Sequence, residues 1–296
     1  VALLAAGQRL FLDRVIAGLL PPALRDAHAL LPKIPPFRER MRLPAFSPAR
    51  GKRRGRVAFF EGCVMPELFG RVNRATVAVL AQNGFDVIVP PDQGCCGALH
   101  AHAGDPEAAH ELAERNLVAF GGESVDAIIS NSAGCGAAMK ETGDWLGERA
   151  EPFASKTRDI LEFLDEVGLR PPTRELPLRV CYDDPCHLIH AQRVADAPRR
   201  VLAAIPGLEI VPHRDPGRCC GAAGIYNLTH PEMSAAVLEP KIASLAEAAP
   251  DVIATGNPGC LMQIRAGSRQ AGLNAEVLHP VELLERAYAR AESPTA

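Results

Sequence analysis

The segment "PDQGCCGALH" sets Cys95 beside Cys96 and follows them with Gly97, and "DPGRCCGAAG" repeats the arrangement with Cys219, Cys220 and Gly221. Outlying cysteines repeat with them. Cys63 lies 123 residues before Cys186, Cys95 lies 124 before Cys219, and Cys135 lies 125 before Cys260. Each half therefore reads Cys, then 31 or 32 residues, then Cys-Cys-Gly, then 37 or 38 residues, then Cys. Chance does not hold four positions in register to within two residues, so the chain carries an internal duplication. Any fold must bring the two halves to equivalent structures. Cys181 is the ninth cysteine and has no counterpart, and it reads as a strand residue facing the core.

The flanking sequence repeats as well. "RVAFFEGC" and "LRVCYDDPC" each run from a short apolar stretch into a cysteine, as do "VDAIISNSAGC" and "PDVIATGNPGC". "FDVIVPPDQGCCG" and "LEIVPHRDPGRCCG" lead into the pairs through polar turn residues. Short continuous apolar runs are the pattern of parallel strands buried on both faces. Helical stretches at Leu68 to Gln82, Asp105 to Phe120 and Pro231 to Ala248 separate them. Strand alternating with helix predicts an α/β protein of two tandem duplicated lobes, each a short, mostly parallel sheet flanked by helices. The boundaries read as a helical extension and linker over 1–55, a first lobe over 56–168, a connector over 169–177 and a second lobe over 178–296. Loops after parallel strands share one sheet edge, so cysteines distant in sequence can converge there. Gly97 and Gly221 are placed to let the backbone turn tightly beside a bulky group.

Composition narrows the chemistry. Apolar residues make up 47 % of the 296 and charged residues 23 %, with a net charge of −3, which excludes nucleic-acid binding by bulk electrostatics. The basic run Ala49 to Arg56 reads as a solvated linker. Residues 1–20 read as an amphipathic helix, with Arg9, Asp13 and Arg14 interrupting the apolar run, so neither a membrane span nor a signal peptide is expected. The start at Val1 reads as that of a piece of a longer protein. A reducing cytoplasm is then expected, where clustered cysteines serve metal or redox chemistry.

Thiolates are soft ligands that select zinc or iron–sulfur centres. Zinc sites draw on CxxC knuckles, and none occurs here. Adjacent cysteines suit a polynuclear centre whose metal atoms neighbouring thiolates can reach separately. Zinc in one or both lobes, a disulfide in each lobe and buried free thiols remain open at this point. The candidate ligands are Cys63, Cys95, Cys96 and Cys135 in the first lobe, and Cys186, Cys219, Cys220 and Cys260 in the second. Of His100, His102, His187, His190 and His213, the one directly after Cys186 is best placed to tune a site from behind its ligands. No nucleophile elbow, phosphate loop or dinucleotide fingerprint is present, and no general acid or base is assigned.

The paired Cys…CCG…Cys pattern resembles the cysteine-rich CCG domain family, which includes subunits of heterodisulfide reductase, of the lactate utilization system and of anaerobic glycerol-3-phosphate dehydrogenase. "RVAFFEGCVMP", "GCCGALHAH", "SAGCGAAMKE", "PCHLIHAQ", "CCGAAGIYNLTHPE" and "NPGCLMQI" look most like the iron–sulfur subunit of glycolate oxidase, over about residues 40–292. The resemblance implies an oxidoreductase subunit that carries electrons on a 4Fe-4S cluster. The electrons would come from FAD-containing subunits that oxidise a 2-hydroxy acid and would leave toward a membrane quinone. It also implies a cytoplasmic location, peripheral at the inner face of the membrane through the complex. A zinc-binding docking module and a thiol–disulfide subunit similar to heterodisulfide reductase are the alternatives. Some family members extend the last cysteine to CxxC for a fifth thiolate; Ala138 and Gln263 occupy those positions here.

Overall fold

In a computed structural model, the structure describes residues 30–122 and 124–288, with residues 7, 8, 18–21 and 28 before them. The amphipathic helix expected over 1–20 lies largely outside the described residues. Among the described residues, nine strands form two sheets. The first contains β1 (Phe46–Ser47), β2 (Gly55–Phe60), β3 (Phe85–Ile88), β4 (Ala127–Ser130) and β5 (Thr157–Asp159) in the order β1-β3-β2-β4-β5. The second contains β6 (Arg179–Tyr182), β7 (Glu209–Ile210), β8 (Val252–Ala254) and β9 (Glu276–Leu278) in the order β7-β6-β8-β9. Of these, β1 alone runs antiparallel. Without it the two sheets have the same topology, as the duplication requires.

The strand sequences explain the layering. Val57, Ala58, Phe59 and Phe60 of β2 are all buried, as are all residues of β4 and β8, because helices cover both faces. The helices of the first lobe include α1 (Val64–Leu68), α2 (Gly70–Gln82), α3 (Ala98–His102), α4 (Pro106–Gly121), α5 (Ala133–Lys140) and α6 (Ile160–Glu166). Those of the second include α7 (Ala197–Ala203), α8 (Pro231–Ala248), α9 (Pro258–Gln270) and α10 (Pro280–Tyr288), with a π-helical turn at His187–Ala191 ahead of α7. Local chemistry starts them where the sequence indicates. Asp105 caps α4 by accepting from Ala108 N–H at 3.1 Å, with Pro106 in the first turn. Asp159 and Glu162 form a reciprocal capping box on α6, at 2.8 and 2.9 Å.

The two lobes exchange their last helices. α10, which ends the second lobe, packs on α2 of the first, while α6, which ends the first lobe, packs on α7 of the second. One hydrophobic core consequently runs through both sheets, from Phe59, Leu80 and Leu164 to Leu202, Ile253 and Leu284. Each such side chain contributes about 1.5–3 kcal/mol on burial, whereas the Arg200–Asp165 ion pair across the same seam, at 2.6 Å, is solvated and screened. The basic run is solvated, as its composition suggests, with Arg50 to Arg54 exposed, but it is tied down rather than a free linker. Arg53 pairs with Asp86 at 2.7 Å, Arg54 stacks over Phe85 and donates to the Gly168 carbonyl at 2.8 Å, and Arg170 holds the Arg50 carbonyl at 2.8 Å. These arginines staple the segment to the edge of the first lobe. No helix among the described residues is long and apolar enough to cross a membrane.

Candidate metal centre

In each sheet the chain leaves the central strand toward one side and then returns to the other. β2 and β4 therefore flank the switch point of the first sheet, and β6 and β8 that of the second. Crevices at such points, beyond the carboxyl ends of the strands, are where open α/β sheets bind ligands. The cysteines stand there. Cys63 follows β2 and opens α1, and Cys135 follows β4 as the third residue of α5. Cys186 follows β6 and opens the π-helical turn, and Cys260 follows β8 as the third residue of α9. The CCG pairs arrive on the longer loops after β3 and β7. All eight line a single cavity of about 200 Å³ between the lobes.

Within each set the sulfurs touch. Cys63 Sγ donates to Cys95 Sγ at 3.4 Å and Cys220 Sγ to Cys260 Sγ at 3.3 Å, while Gly221 N–H donates to Cys219 Sγ at 3.3 Å. This crowding separates the thiol acidities. Donation from Cys63, then from Cys96, draws Cys95 well below the ordinary thiol range. Cys186, then Cys220, does the same for Cys219. Cys96 and then Ser132 lower Cys135 against its burial. The donors move the opposite way: Cys63, Cys96, Cys186 and Cys220 are raised, first by their sulfur neighbours and then by burial. Sulfur contacts thus favour the thiolate, the form in which sulfur ligates metal, at the first CCG cysteine of each set. Among the described residues no group of three or more His, Cys, Asp or Glu is already spaced around a metal ion. The sulfurs stand instead in contact, at 3.4 Å for Cys63–Cys95 and 3.3 Å for Cys220–Cys260.

The CCG glycine is required for a reason that the sequence only half reveals. Gly97 and Gly221 have φ of +84° and +85°, the left-handed turn expected of them. The bulk beside them is the following helix. A Cβ on Gly97 would lie 2.9 Å from the Ala109 carbonyl oxygen in α4, and one on Gly221 would lie 2.5 Å from that of Ser234 in α8. Packing of helix backbone on glycine sets the depth of each pair: Cys96 and Cys220 are buried, while Cys95 and Cys219 are partly open.

Backbone contacts fix the two sets relative to one another. The unpaired first-turn N–H groups of α5 are taken up by the other lobe, Ala133 N–H by the Gly256 carbonyl at 3.0 Å and Gly134 N–H by Asn257 Oδ1 at 3.1 Å. Gln192 Nε2 returns a bond to the Ala133 carbonyl at 2.9 Å. His279 Nε2–H donates to the Asn131 carbonyl at 2.9 Å while its Nδ1 accepts from Val281 N–H at 3.1 Å.

The other candidate residues divide. His187 does line the cavity, with its ring 5.3 Å from that of His102, and burial and then His102 lower its affinity for a proton. His213 faces the Tyr182 carbonyl at 3.2 Å, His100 sits 3.7 Å from Asp105, and His190 is exposed, so none of these three lines the cavity. Cys181 is buried in β6 and points at the Val211 carbonyl, 3.4 Å away. Ala138 packs in the first lobe's second core cluster, and the Gln263 amide is bound to Asn227 at 3.1 Å and Ser234 at 2.9 Å, so neither fifth-ligand position faces the cavity. Reading the sequence missed His279, Asn116 and Lys241, all buried near the cysteine loops. A lone histidine gives no signal, but the repeat offset applied beyond the cysteines would have aligned the other two.

Known proteins carry the same pattern. The family model described as "Cysteine-rich domain" (CCG) matches residues 57–140 and again residues 180–265. The chain is 38 % identical over 277 residues to a Bacillus subtilis protein named "Probable glycolate oxidase iron-sulfur subunit", covering 90 % of this chain and 62 % of that protein. It is 32 % identical to the glycolate oxidase iron-sulfur subunit of Escherichia coli, covering 90 % of this chain and 67 % of that one. It is 34 % identical to a fumarate reductase (CoM/CoB) subunit of Methanothermobacter marburgensis, covering 79 % and 46 %. The chain thus spans about half to two thirds of the length of these relatives. With the domain matched twice, over more than half of the residues and once for each four-sulfur set, the chain belongs to the cysteine-rich CCG domain family.

Proposed function

We propose that each four-cysteine set holds an iron–sulfur cluster, of 4Fe-4S type, and that the chain is an electron-transfer part of a flavin-dependent 2-hydroxy-acid dehydrogenase with glycolate as substrate. Electrons enter from an FAD-containing partner, where the hydroxy acid is oxidised, and leave toward a quinone-type acceptor, with the complex peripheral at the membrane. One observation carries the ligand assignment: two sets of four cysteines, distant in sequence, line a single cavity. The donor set fits the group. It is all sulfur, with contacts that favour thiolate at Cys95 and Cys219, and is supplied with a backbone N–H donor and helix starts. The names of the relatives support the complex.

A bound cluster supplies one-electron storage whose potential depends on burial, charge and hydrogen bonds to sulfur. The chain's own residues do the rest. Asn257 Nδ2 approaches Cys260 Sγ at 3.6 Å and Gly221 N–H points at Cys219, both favouring negative charge on sulfur. Met65, Leu99 and Met262 line the cavity with apolar surface. The test is metal, sulfide and visible–EPR analysis of anaerobically purified protein, with Cys96→Ser and Cys220→Ser alongside. Iron and sulfide are expected in both lobes, each substitution removing only its own lobe's share. Colourless protein with about one zinc per lobe would replace this reading by a structural zinc module. Metal-free protein whose thiol count cycles with oxidant would replace it by thiol–disulfide chemistry.

A further inference from the structure

The duplication allows the surroundings of the two sets to be compared position by position. The helix residues that close on the CCG glycines, Ala109 and Ser234, are 125 residues apart, the same offset as Cys135 to Cys260. At that offset Asn116 of α4 corresponds to Lys241 of α8, and each is 2 % exposed. Their chemistry differs. Asn116 clasps the first pair's loop with a neutral amide, accepting from Gly94 N–H at 2.9 Å and donating to the Cys95 carbonyl at 2.8 Å. Lys241 brings an ammonium, which donates to the Asp183 carboxylate and to the Pro216 carbonyl, the latter at 3.1 Å. The other Asp183 oxygen accepts from the Thr255 hydroxyl at 3.2 Å.

These partners belong to three different loops. Asp183 precedes Cys186 by three residues, Pro216 precedes Cys219 by three, and Thr255 precedes Cys260 by five. One buried ammonium and its carboxylate therefore tie every cysteine-bearing loop of the second lobe. The first-lobe counterpart of Asp183, at the 123-residue offset of Cys63 to Cys186, is Phe60, which lies in an apolar cluster. The ion pair has no match there.

We propose that Lys241, acting with Asp183, is a positioning residue that acts first on the second four-sulfur set, so that the two sets are held by different forces. As a statement about metal this rests on the ligand assignment above; as a statement about the loops it does not. Removing one partner of a buried pair leaves an uncompensated charge, so the loops around it have to open.

The test compares wild type, Lys241→Met, the isosteric Asp183→Asn and the double variant. Cysteine alkylation is followed site by site by mass spectrometry in metal-free reduced protein, and metal content is measured on protein purified anaerobically. Either single change is expected to speed alkylation of Cys186, Cys219, Cys220 and Cys260 by about tenfold or more, leaving the first set's rates unchanged. The double variant should react no faster than the faster single, as coupled partners do. Bound metal should fall to the first lobe's share. Equal acceleration of both sets, unchanged second-set rates in folded variants, or multiplicative rates in the double variant would each overturn the proposal. If Lys241→Met does not fold, Asp183→Asn decides it. Wild type without metal would sink the cluster assignment and leave the alkylation comparison standing.

Discussion

Acidification is expected to weaken the protein through His279. The ring is 1 % exposed, and its neutral form is fully used, with Nε2–H on the Asn131 carbonyl and Nδ1 accepting from Val281 N–H. A proton on Nδ1 would face that N–H in a buried site. Burial accordingly pulls its pKa from the ordinary 6.5 down to about 4, the Asn131 carbonyl opposing weakly. Because the folded value lies below the unfolded one, the stabilisation is complete above about pH 6.5 and is lost as the pH falls toward 4. The gap corresponds to about 3 kcal/mol, with a slope near 1 kcal/mol per pH unit around pH 5. His279→Gln retains an amide donor but does not titrate. It should cost about 1–3 kcal/mol at neutral pH through the lost acceptor, and its deficit should shrink as the pH falls. Urea unfolding followed by circular dichroism from pH 4.5 to 7.5 provides the measurement. A constant difference between the two proteins across that range would refute the reasoning.

Asp159 should act in the opposite sense. Burial pushes its carboxyl up to about 7, so its stabilisation is present at low pH and is lost as the pH rises through that value; Asp159→Asn, which keeps a capping side chain, should gain about 2–4 kcal/mol on wild type between pH 4.5 and 8 in the same titration. Gly221→Ala should cost at least about 2 kcal/mol, from the left-handed turn and the approach to Ser234, and release the second lobe's metal while the first keeps its share, read by thermal melting and metal analysis. Gln263→Cys should leave metal and sulfide content unchanged, since that side chain is held between Asn227 and Ser234, off the cavity.

Much of this arrangement is legible in the sequence because duplication and burial both leave marks. Central strands such as β2, β4 and β8 are largely apolar, since both faces are covered, and the cysteine offsets place their following loops in register. The edge strands leave a weaker mark. "TRD" of β5 and "EVL" of β9 pair on one side only and carry polar residues, buried or half-buried in β5 and exposed at Glu276 in β9, so no apolar run announces them. The convergence of four cysteines in each lobe follows from strand order. That both sets share one cavity does not, because it depends on contacts such as Ala133 with Gly256 that no local pattern encodes.

The exchange of terminal helices has a consequence for synthesis. The apolar stripe of α2 leaves the ribosome complete at Gln82, yet the helix that covers it begins 198 residues later at Pro280. At about 5–20 residues per second that stripe waits roughly 10–40 s for its cover, a window in which a nascent-chain chaperone or a neighbouring polysome product can reach it. Trimming the carboxyl terminus before Tyr288, whose hydroxyl bonds the Arg170 carbonyl and meets Asn83 at 3.1 Å, would therefore be felt first in the amino-terminal half.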